Sequence, residues 1–447
     1  MKRLNFIPFL LLSASMFGAT LSQEPQNSSL IVYNGGIALV HEQRALKINK
    51  GDKEIVYSGV ASTIDTDSVN ITLPASIKLY SQQYRFDKLT LYKLLDAHIG
   101  KKVVLKKKDA KKQIVTLLSH NGSNALVKDA NKMIISANTA DIKFSSIPNS
   151  LLTKPSLVWN VDAQKTLKTD MQIDYLIKNL SWKSDYILNL DGDKADLSGW
   201  ITLDNRSGKA YKNTQLNLLA GDINRAYQPR VQRRYLKSVA MVQDSAPRVV
   251  HKAHEGYHFY TVPFKVNLAN NEKTQIKFIT QNNLNIKRKY RANLSNPLYF
   301  NSQAQHSVTQ YIELEKLDIV LPKGVVRTYS KLDNKNILLG ESSISHTPKD
   351  TTIKLTIGKN FDVKVKESIV SRDDDKYYME ATVVYEVKNT SDDEKIIELL
   401  IPFNKNKTST IKTSKPYKFV HGNKLSFKIK VDAEDSVSFK VNFRSKR

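Results

Sequence analysis

Three of the nine histidines lie within eight residues, and they are the most conspicuous candidates for chemistry: His251, His254 and His258. The segment from His254 to His258 spells H-E-x-x-H, with which a helix presents two imidazoles to Zn²⁺ and a glutamate to a water molecule. Gly256 interrupts this segment, and Pro263 follows within a stretch of strand-like alternation, so we expect no helix and no peptidase site here. We interpret these residues as part of a loop. Binding of Zn²⁺, Cu²⁺ or Ni²⁺ by the three histidines is the alternative.

A second polar group consists of His346-Thr347-Pro348 and Asp350. Histidine titrates near neutral pH, so His346 with Asp350 could bind a ligand or shuttle a proton. A capped turn is the interpretation that we favour.

The sequence contains no cysteine, which excludes disulfides, thiolate nucleophiles and cysteine-ligated metals. It also contains neither a phosphate-binding G-x-x-x-x-G-K-[ST] string nor a G-x-S-x-G elbow. We therefore expect no cofactor.

Positive charge is concentrated in two segments of this 447-residue chain, whose formal charge is +26. Residues 205–300 hold 17 basic and four acidic residues, including eight of the fifteen arginines, and Lys101 to Lys112 holds seven lysines and one aspartate. Tyr227 and Tyr235 lie between basic residues of an aperiodic stretch, and such arginine beside tyrosine suits phosphates or carboxylates. We predict an anion-binding group there: Arg225, Arg230, Arg233, Arg234 and Lys237. A solvated loop is the alternative.

The first 22 residues resemble a secretory signal peptide. Lys2 and Arg3 precede the apolar run Leu4 to Leu12, and small residues follow up to Ser22. Cleavage is expected before Gln23, with a cut after Ala19 as the alternative. No later run approaches the 18 apolar residues of a spanning helix, so we expect no transmembrane segment after cleavage and a periplasmic or secreted protein.

The rest of the chain is typical of an all-β protein. Strand alternation recurs in runs such as Lys53 to Val60, Met171 to Ile177 and Leu425 to Val431. One short helix is predicted from Leu91 to His98, capped by Thr90, with His98 as a packed core residue. We see no short-period repeat and no heptads.

Shifts in composition predict several β domains after the signal segment 1–22. We expect an N-terminal β unit over 23–84, then a small domain with the helix and a barrel-like set of strands over 85–150. A central β-sandwich over 151–360 would carry a basic loop at 222–255. An immunoglobulin-like β-sandwich would close the chain over 361–447.

Seven stretches of the chain resemble a known bacterial family. They are Tyr84-Arg-Phe-Asp87, Gly100-Lys-Lys-Val103, Leu180-Ser-Trp182-Lys-Ser-Asp185-Tyr186, Gly199 to Tyr211, Leu218 to Asn224, Ile344 to Asp350, and Gly358 to Val363. On these residues the chain resembles the DUF4139 family of unknown function, which contains the mucoidy-inhibitor proteins. The resemblance implies an exported, multi-domain β protein without an established activity. The chain lacks the long heptad segment of the longer members, and so it resembles a short form.

The recurring residues of these stretches have a simple structural interpretation. Gly208 and Gly221 would occupy turns with positive φ, and Asn205 and Asp222 would bond turn backbone. Trp182 and Trp200 would anchor cores.

We predict an exported, non-enzymatic protein that binds or organises anionic envelope components or another envelope protein. Nucleic acid is not expected as a partner of an exported chain. One alternative is a metal-dependent or other hydrolase that uses the His251 to His258 cluster or His346 with Asp350. The other is an interaction module in which an edge strand of the C-terminal sandwich pairs with a partner.

Overall fold

The computed structural model describes residues 19–107, 111–148, 150–220, 250–254, 257–300, 302–404, 409–420 and 423–446; the side chains of 250–254 and 257–258 are not described. Strands hold 66% of the described residues and helices 3%, so the predicted all-β class is confirmed. The predicted short helix, α1, spans Leu91–Ala97. Its N-terminus is capped as expected, since the Thr90 side chain accepts a hydrogen bond from the Lys93 amide. His98 follows the helix and is buried, as predicted.

The strands are numbered in chain order. The first eleven are β1 (Thr20–Leu21), β2 (Asn27–Tyr33), β3 (Ile37–Ile48), β4 (Glu54–Ser58), β5 (Asn70–Thr72), β6 (Ile77–Arg85), β7 (Lys102–Leu105), β8 (Gln113–His120), β9 (Asn124–Lys128), β10 (Ile134–Asn138) and β11 (Ile142–Lys143). The next eleven are β12 (Ser156–Ala163), β13 (Leu167–Lys178), β14 (Leu180–Asp191), β15 (Lys194–Asn205), β16 (Tyr211–Ala220), β17 (Val250–His254), β18 (Tyr257–Leu268), β19 (Glu272–Asn293), β20 (Gln303–Leu314), β21 (Gly324–Leu332) and β22 (Lys335–Ile344). The last seven are β23 (Ile353–Asp374), β24 (Tyr378–Asn389), β25 (Lys395–Pro402), β26 (Thr410–Thr413), β27 (Tyr417–Val420), β28 (Lys424–Val431) and β29 (Ser436–Lys446). Short 3₁₀ turns cover Thr66–Ser68 and Thr139–Asp141.

These strands form four sheets. An eight-stranded sheet runs β17-β18-β16-β2-β3-β13-β5, with β1 beside β3. A five-stranded sheet runs β10-β9-β8-β7-β11, and a three-stranded sheet runs β4-β12-β6. The largest sheet runs β22-β21-β14-β15-β19-β20-β23-β24-β29-β26, with β25, β27 and β28 attached to it. Most neighbours are antiparallel, which suits sheets with one face on a core and one in solvent.

The chain divides into two compact units. The first draws on residues 1–182, 203–226 and 252–274, and the second on 183–202, 227–251 and 275–447. The second contains a large apolar cluster whose fully buried aromatic residues are Tyr385, Phe403, Phe427 and Phe443.

One order of strand pairings occurs twice along the chain. In the first half, β2 pairs antiparallel with β3, β3 pairs antiparallel with β13, and β16 pairs parallel with β2 and antiparallel with β18. In the second half, β19, β20, β23, β25 and β28 repeat these relations in the same order. The chain therefore carries two copies of one strand topology, separated in sequence by far more than a short-period repeat.

The same side-chain turn follows β15, just before β16 of the first copy, and β24, just before β25 of the second copy. Asn205 donates from Nδ2 to the carbonyls of Lys209 (2.9 Å) and Ala269 (3.0 Å), and its Oδ1 accepts from Ser207 Oγ (2.8 Å). Asn389 donates to the carbonyls of Asp393 (2.7 Å) and Asp432 (2.9 Å), and its Oδ1 accepts from Ser391 Oγ (2.8 Å). Both asparagines are fully buried. This Asn-x-Ser turn is the clearest trace of the repeat in the sequence.

The five-stranded sheet and α1 form a small body of their own within the first unit. Its core contains Leu95 of α1 and inward side chains of the strands: Val103, Leu105, Val115, Leu117, Ala125, Val127, Ala137 and Ile142. Where the chain enters and leaves this body, Arg85 donates to the Ser150 carbonyl (3.1 Å) and Asp87 accepts from the Leu152 amide (3.0 Å). Arg85 and Asp87 belong to a stretch that carries the family resemblance, and each forms a hydrogen bond with the backbone of the segment that leaves this body.

Candidate functional site

One face of the five-stranded sheet packs on its core, and the opposite face is turned to solvent. We call the solvent-facing side the outer face; its outward-pointing residues are Lys102, Val104, Ile114, Thr116, Leu126, Lys128, Ile134, Ser136 and Lys143. The strand register places them in rows, since residues paired across neighbouring strands point to the same side. One row is Lys102, Thr116, Lys128 and Ile134. A second row is Lys143, Val104 and Ile114.

The outer face is positively charged. Lys102, Lys128 and Lys143 are exposed, and the strands β7 to β11 contain no aspartate or glutamate. Further exposed lysines flank the sheet: Lys101, Lys106, Lys107, Lys111 and Lys112. They belong to the segment from Lys101 to Lys112 that stood out by its charge. The strands contain no acidic side chain, and Asp129 and Asp141, at the ends of β9 and β11, are outnumbered by the exposed lysines. The sheet therefore presents a local positive potential to anions.

The outer face also exposes large aliphatic side chains. Ile114 is 66% exposed, Ile134 61% and Leu126 46%, and Met133 just before β10 is 63% exposed. In antiparallel sheets with one face in solvent, outward positions are usually polar. The large aliphatic side chains of Ile114, Leu126 and Ile134 depart from this pattern.

The predicted anion-binding group, Arg225, Arg230, Arg233, Arg234 and Lys237, lies outside the described residues, as do Gly221, Asp222 and Glu255. The backbone of His251 and His254 belongs to β17, and that of His258 belongs to β18, where it pairs with Ala220. The loop that we predicted for these residues is therefore wrong for His251 and His254, whose backbone lies in β17; only the strand at His258 agrees with the alternation that begins at Tyr257. The histidines do not share the helix that a zinc peptidase motif requires. Their side chains are not described.

His346 and Asp350 are held by different contacts. His346 Nδ1 accepts a hydrogen bond from the Lys323 backbone amide at 3.2 Å, so Nδ1 carries no proton in that bond. Asp350 has a positive φ of 57°, and its amide donates to the Leu317 carbonyl at 2.9 Å. Both contacts stabilise backbone next to the bridge between Leu321 and Thr347. This arrangement fits the capped turn that the sequence favoured.

A buried charge cluster, which our sequence analysis did not predict, lies inside the first unit. Glu42, at the centre, is 1% exposed. Its carboxylate accepts hydrogen bonds from Lys209 Nζ, from the Tyr57 hydroxyl at 2.5 Å and from Arg44 Nη2 at 3.4 Å. Arg44 also lies over the Tyr57 ring, 3.9 Å from its centroid, and donates to the Ser58 carbonyl at 3.0 Å. Three side chains from three segments thus surround the Glu42 carboxylate.

The local electrostatics of this cluster favour the charged form of Glu42, whereas burial lowers the pKa of the Lys209 ammonium despite its carboxylate partner. Burial alone would raise the pKa of the Glu42 carboxyl, but Lys209, Tyr57 and Arg44 hold that pKa below its ordinary value. Burial raises the pKa of the Tyr57, Tyr175 and Tyr211 hydroxyls, which stay protonated at neutral pH. The Glu42 and Arg44 side chains are almost completely closed to solvent, and the Lys209 side chain is 14% exposed.

The Asn-x-Ser turn positions Lys209 for this cluster. Gly208 precedes it with a φ of +82°, as the sequence predicted for a turn glycine. A Cβ at this position would lie 1.8 Å from Ser62 Oγ, so glycine is required for space as well as for conformation. Trp182 is buried, as expected for a residue that anchors a core. Trp200 is only half-buried.

Within the described side chains, no group of three histidine, aspartate or glutamate residues is placed to hold a metal ion. In the described part of the chain, no helix has the length and apolar character needed to cross a membrane.

The chain matches no protein-family model and no curated protein. The resemblance to the DUF4139 family therefore stays a prediction that rests on the quoted residues.

Sequence patterns indicated part of these sites only. The lysines from Lys101 to Lys112 could be recognised in the sequence. The outer face could not, because it depends on the strand register that places Lys128 beside Thr116 and Ile134. Glu42 and Arg44 sit at the inward positions of β3 together with Val40, Leu46 and Ile48. Charged residues at the apolar positions of a strand are the signal that could have revealed the buried charge cluster.

Proposed function

We propose that this chain is an exported protein of the cell envelope that binds anionic envelope components without catalysing a reaction. The observation that supports this proposal is the outer face, on which Lys102, Lys128 and Lys143 project together from strands without a carboxylate. An exported protein meets anionic lipid headgroups, phosphorylated saccharides and acidic polymers. Lysines recognise such ligands mainly through charge, so binding should be broad and sensitive to salt.

Sedimentation with isolated bacterial envelope fragments tests this function. We expect the wild-type chain to sediment with the fragments at low salt. The variant Lys102→Gln/Lys128→Gln/Lys143→Gln should sediment less. A matched variant, Lys364→Gln/Lys388→Gln/Lys440→Gln, removes the same charge from exposed positions of β23, β24 and β29 and should behave as the wild type. Equal sedimentation of all three proteins would contradict the proposal.

Export has its own test, because residues 1–18 lie outside the described part of the chain. We expect the cell to remove the predicted signal segment and release the chain beyond the inner membrane. Cleavage before Gln23 would remove β1, whereas cleavage after Ala19 would keep its pairing with Leu46 and Lys47. The N-terminal sequence of the exported protein distinguishes the two sites, and a cytoplasmic chain with an intact N-terminus would contradict export.

A second candidate function is partner binding through an edge strand, and β6 favours it. Within the described residues β6 pairs with β12 alone, and its residues from Lys78 to Tyr84 are all exposed. They include Tyr80, which is 64% exposed. An exposed apolar edge strand can accept a further strand from a partner. Loss of a crosslinked partner in a Tyr80→Lys variant, with envelope sedimentation intact, would favour this candidate.

A hydrolase remains the third candidate, with His251, His254 and His258 or His346 with Asp350 as its site. Measurement of metal in the purified protein distinguishes it from the binding function. One tightly held Zn²⁺ per chain would favour the hydrolase.

A further inference from the structure

We propose that the outer face of the five-stranded sheet docks on an anionic phospholipid bilayer, where its lysines contact headgroups and its aliphatic side chains enter the interface. This inference rests on the proposed function and narrows its ligand. To bind a soluble polyanion, a protein surface would need only cationic side chains. The outer face offers cations and exposed aliphatic side chains in the same rows.

The interleaving of the two kinds of side chain carries the inference. Lys128 is flanked across the sheet by Ile134. Lys143 and Ile114 lie on either side of Val104. Neighbouring strands are about 4.8 Å apart, so each lysine lies within about 10 Å of an exposed aliphatic group. On a bilayer, lysines of such a face can contact phosphates while the neighbouring aliphatic side chains enter the boundary between headgroups and acyl chains.

The positive charge of the outer face favours an anionic bilayer as its ligand. The strands of this sheet contain no acidic side chain, and exposed lysines flank them at Lys101, Lys106 and Lys107. Each lysine near such a surface adds to binding, while aliphatic insertion adds a part that salt does not screen. A neutral bilayer would supply only the second part.

Vesicle binding by the full mature chain tests this inference. The probes are vesicles of phosphatidylcholine with phosphatidylglycerol, vesicles of phosphatidylcholine alone, and soluble polyphosphate. We expect binding to the anionic vesicles to be at least about tenfold tighter than to the neutral ones. The variant Ile114→Ser/Ile134→Ser should bind the anionic vesicles about tenfold more weakly and polyphosphate as the wild type does.

Ile396 provides the matched control. It is 54% exposed on β25, in the second unit, so Ile396→Ser should leave vesicle binding unchanged. A tryptophan placed on the outer face reports insertion into the bilayer directly, so this test does not depend on a comparison of affinities. Fluorescence of Ile134→Trp should shift to the blue on anionic vesicles and be quenched by lipids brominated in the acyl chain, while that of Ile396→Trp should not change.

The outcomes separate this inference from the function on which it rests. If polyphosphate binds but the two-serine variant keeps full vesicle affinity, the bilayer inference is wrong and anion binding stands. If neither anionic probe binds, both are wrong. An Ile134→Trp reporter that stays in water on bound vesicles would also overturn the inference.

Discussion

Lys128 and Ile134 lie directly opposite each other on β9 and β10, and both side chains point to the outer face of the five-stranded sheet. A cation and an exposed aliphatic group thus share one row of a sheet without acidic side chains. This pairing suits a ligand that is both charged and apolar, and it leads to a first prediction about salt.

Raising NaCl from 0.1 to 1 M should weaken binding to anionic vesicles by at least about tenfold. The screening length falls from about 10 Å to about 3 Å over this range, which screens exposed lysines such as Lys102 and Lys143. Vesicle sedimentation at each salt concentration measures the effect. The three-lysine glutamine variant at positions 102, 128 and 143 should show a flatter dependence than the wild type. Binding that does not change with salt would be inconsistent with charge recognition.

Breaking the buried charge cluster should destabilise the first unit. Glu42→Gln leaves the Lys209 ammonium without its buried carboxylate partner, and loss of such a partner costs about 3 to 5 kcal/mol. The double variant Glu42→Gln/Lys209→Met should cost less than the sum of the single variants. Urea unfolding, followed by the fluorescence of the buried Trp159 and Trp182, measures these free energies. Strict additivity would show that the two side chains are not coupled.

The same cluster predicts sensitivity to acid. The folded pKa of Glu42 is lowered from an ordinary value of 4.5, so its stabilising contribution is complete above pH 4.5 and is lost as the pH falls towards the lowered value. The unfolding temperature of the wild type should therefore fall more steeply below pH 4.5 than that of Glu42→Gln. Equal slopes would mean that Glu42 titrates alike in the folded and unfolded chains.

Gly208→Ala should be more costly than Gly36→Ala. Both glycines have positive φ, +82° and +76°, but only Gly208 has a neighbour, Ser62, in the space that a Cβ would fill. Gly36→Ala should cost about 1 kcal/mol from conformation, and Gly208→Ala should cost about 1 to 3 kcal/mol more from overpacking. Thermal unfolding of both variants checks this. Equal losses would contradict the close approach of Gly208 to Ser62.

The arginine-rich segment should strengthen anion binding further. The variant Arg225→Ser/Arg230→Ser/Arg233→Ser/Arg234→Ser removes four cations and should weaken vesicle binding by at least about tenfold. Tyr227→Ser/Tyr235→Ser keeps the charge and serves as the matched control. Isothermal titration with anionic vesicles measures both. If the four-serine variant bound as the wild type does, this segment would have no part in the ligand contact.

Patterns in the sequence were sufficient for the class of fold and for several local features. Strand alternation predicted the all-β class, and Thr90 with the apolar spacing of the next turns predicted α1. The positive φ of Gly208 followed from its place in a turn. Each of these features depends on neighbours in sequence, which a single chain displays directly.

Features that depend on distant residues could not be predicted. Glu42 and Lys209 are 167 positions apart, and only the folded strands bring them together. The two copies of the strand topology are defined by pairings between strands that lie far apart in the sequence, such as β2 with β16 and β19 with β25. The outer face likewise depends on register, because a shift of one residue would turn Lys128 towards the core.

Charge reversal on the outer face tests the central claim most directly. The measurement is the dissociation constant for phosphatidylglycerol-containing vesicles of the mature chain, of Lys102→Glu/Lys128→Glu/Lys143→Glu, and of the matched Lys364→Glu/Lys388→Glu/Lys440→Glu. We predict that reversal on the outer face weakens binding by about 100-fold or more, since each lysine near the surface contributes about 1 kcal/mol. The matched variant, with the same net charge, should bind within about threefold of the wild type. Equal losses in the two variants would show that net charge alone governs binding, and would contradict a role for this face.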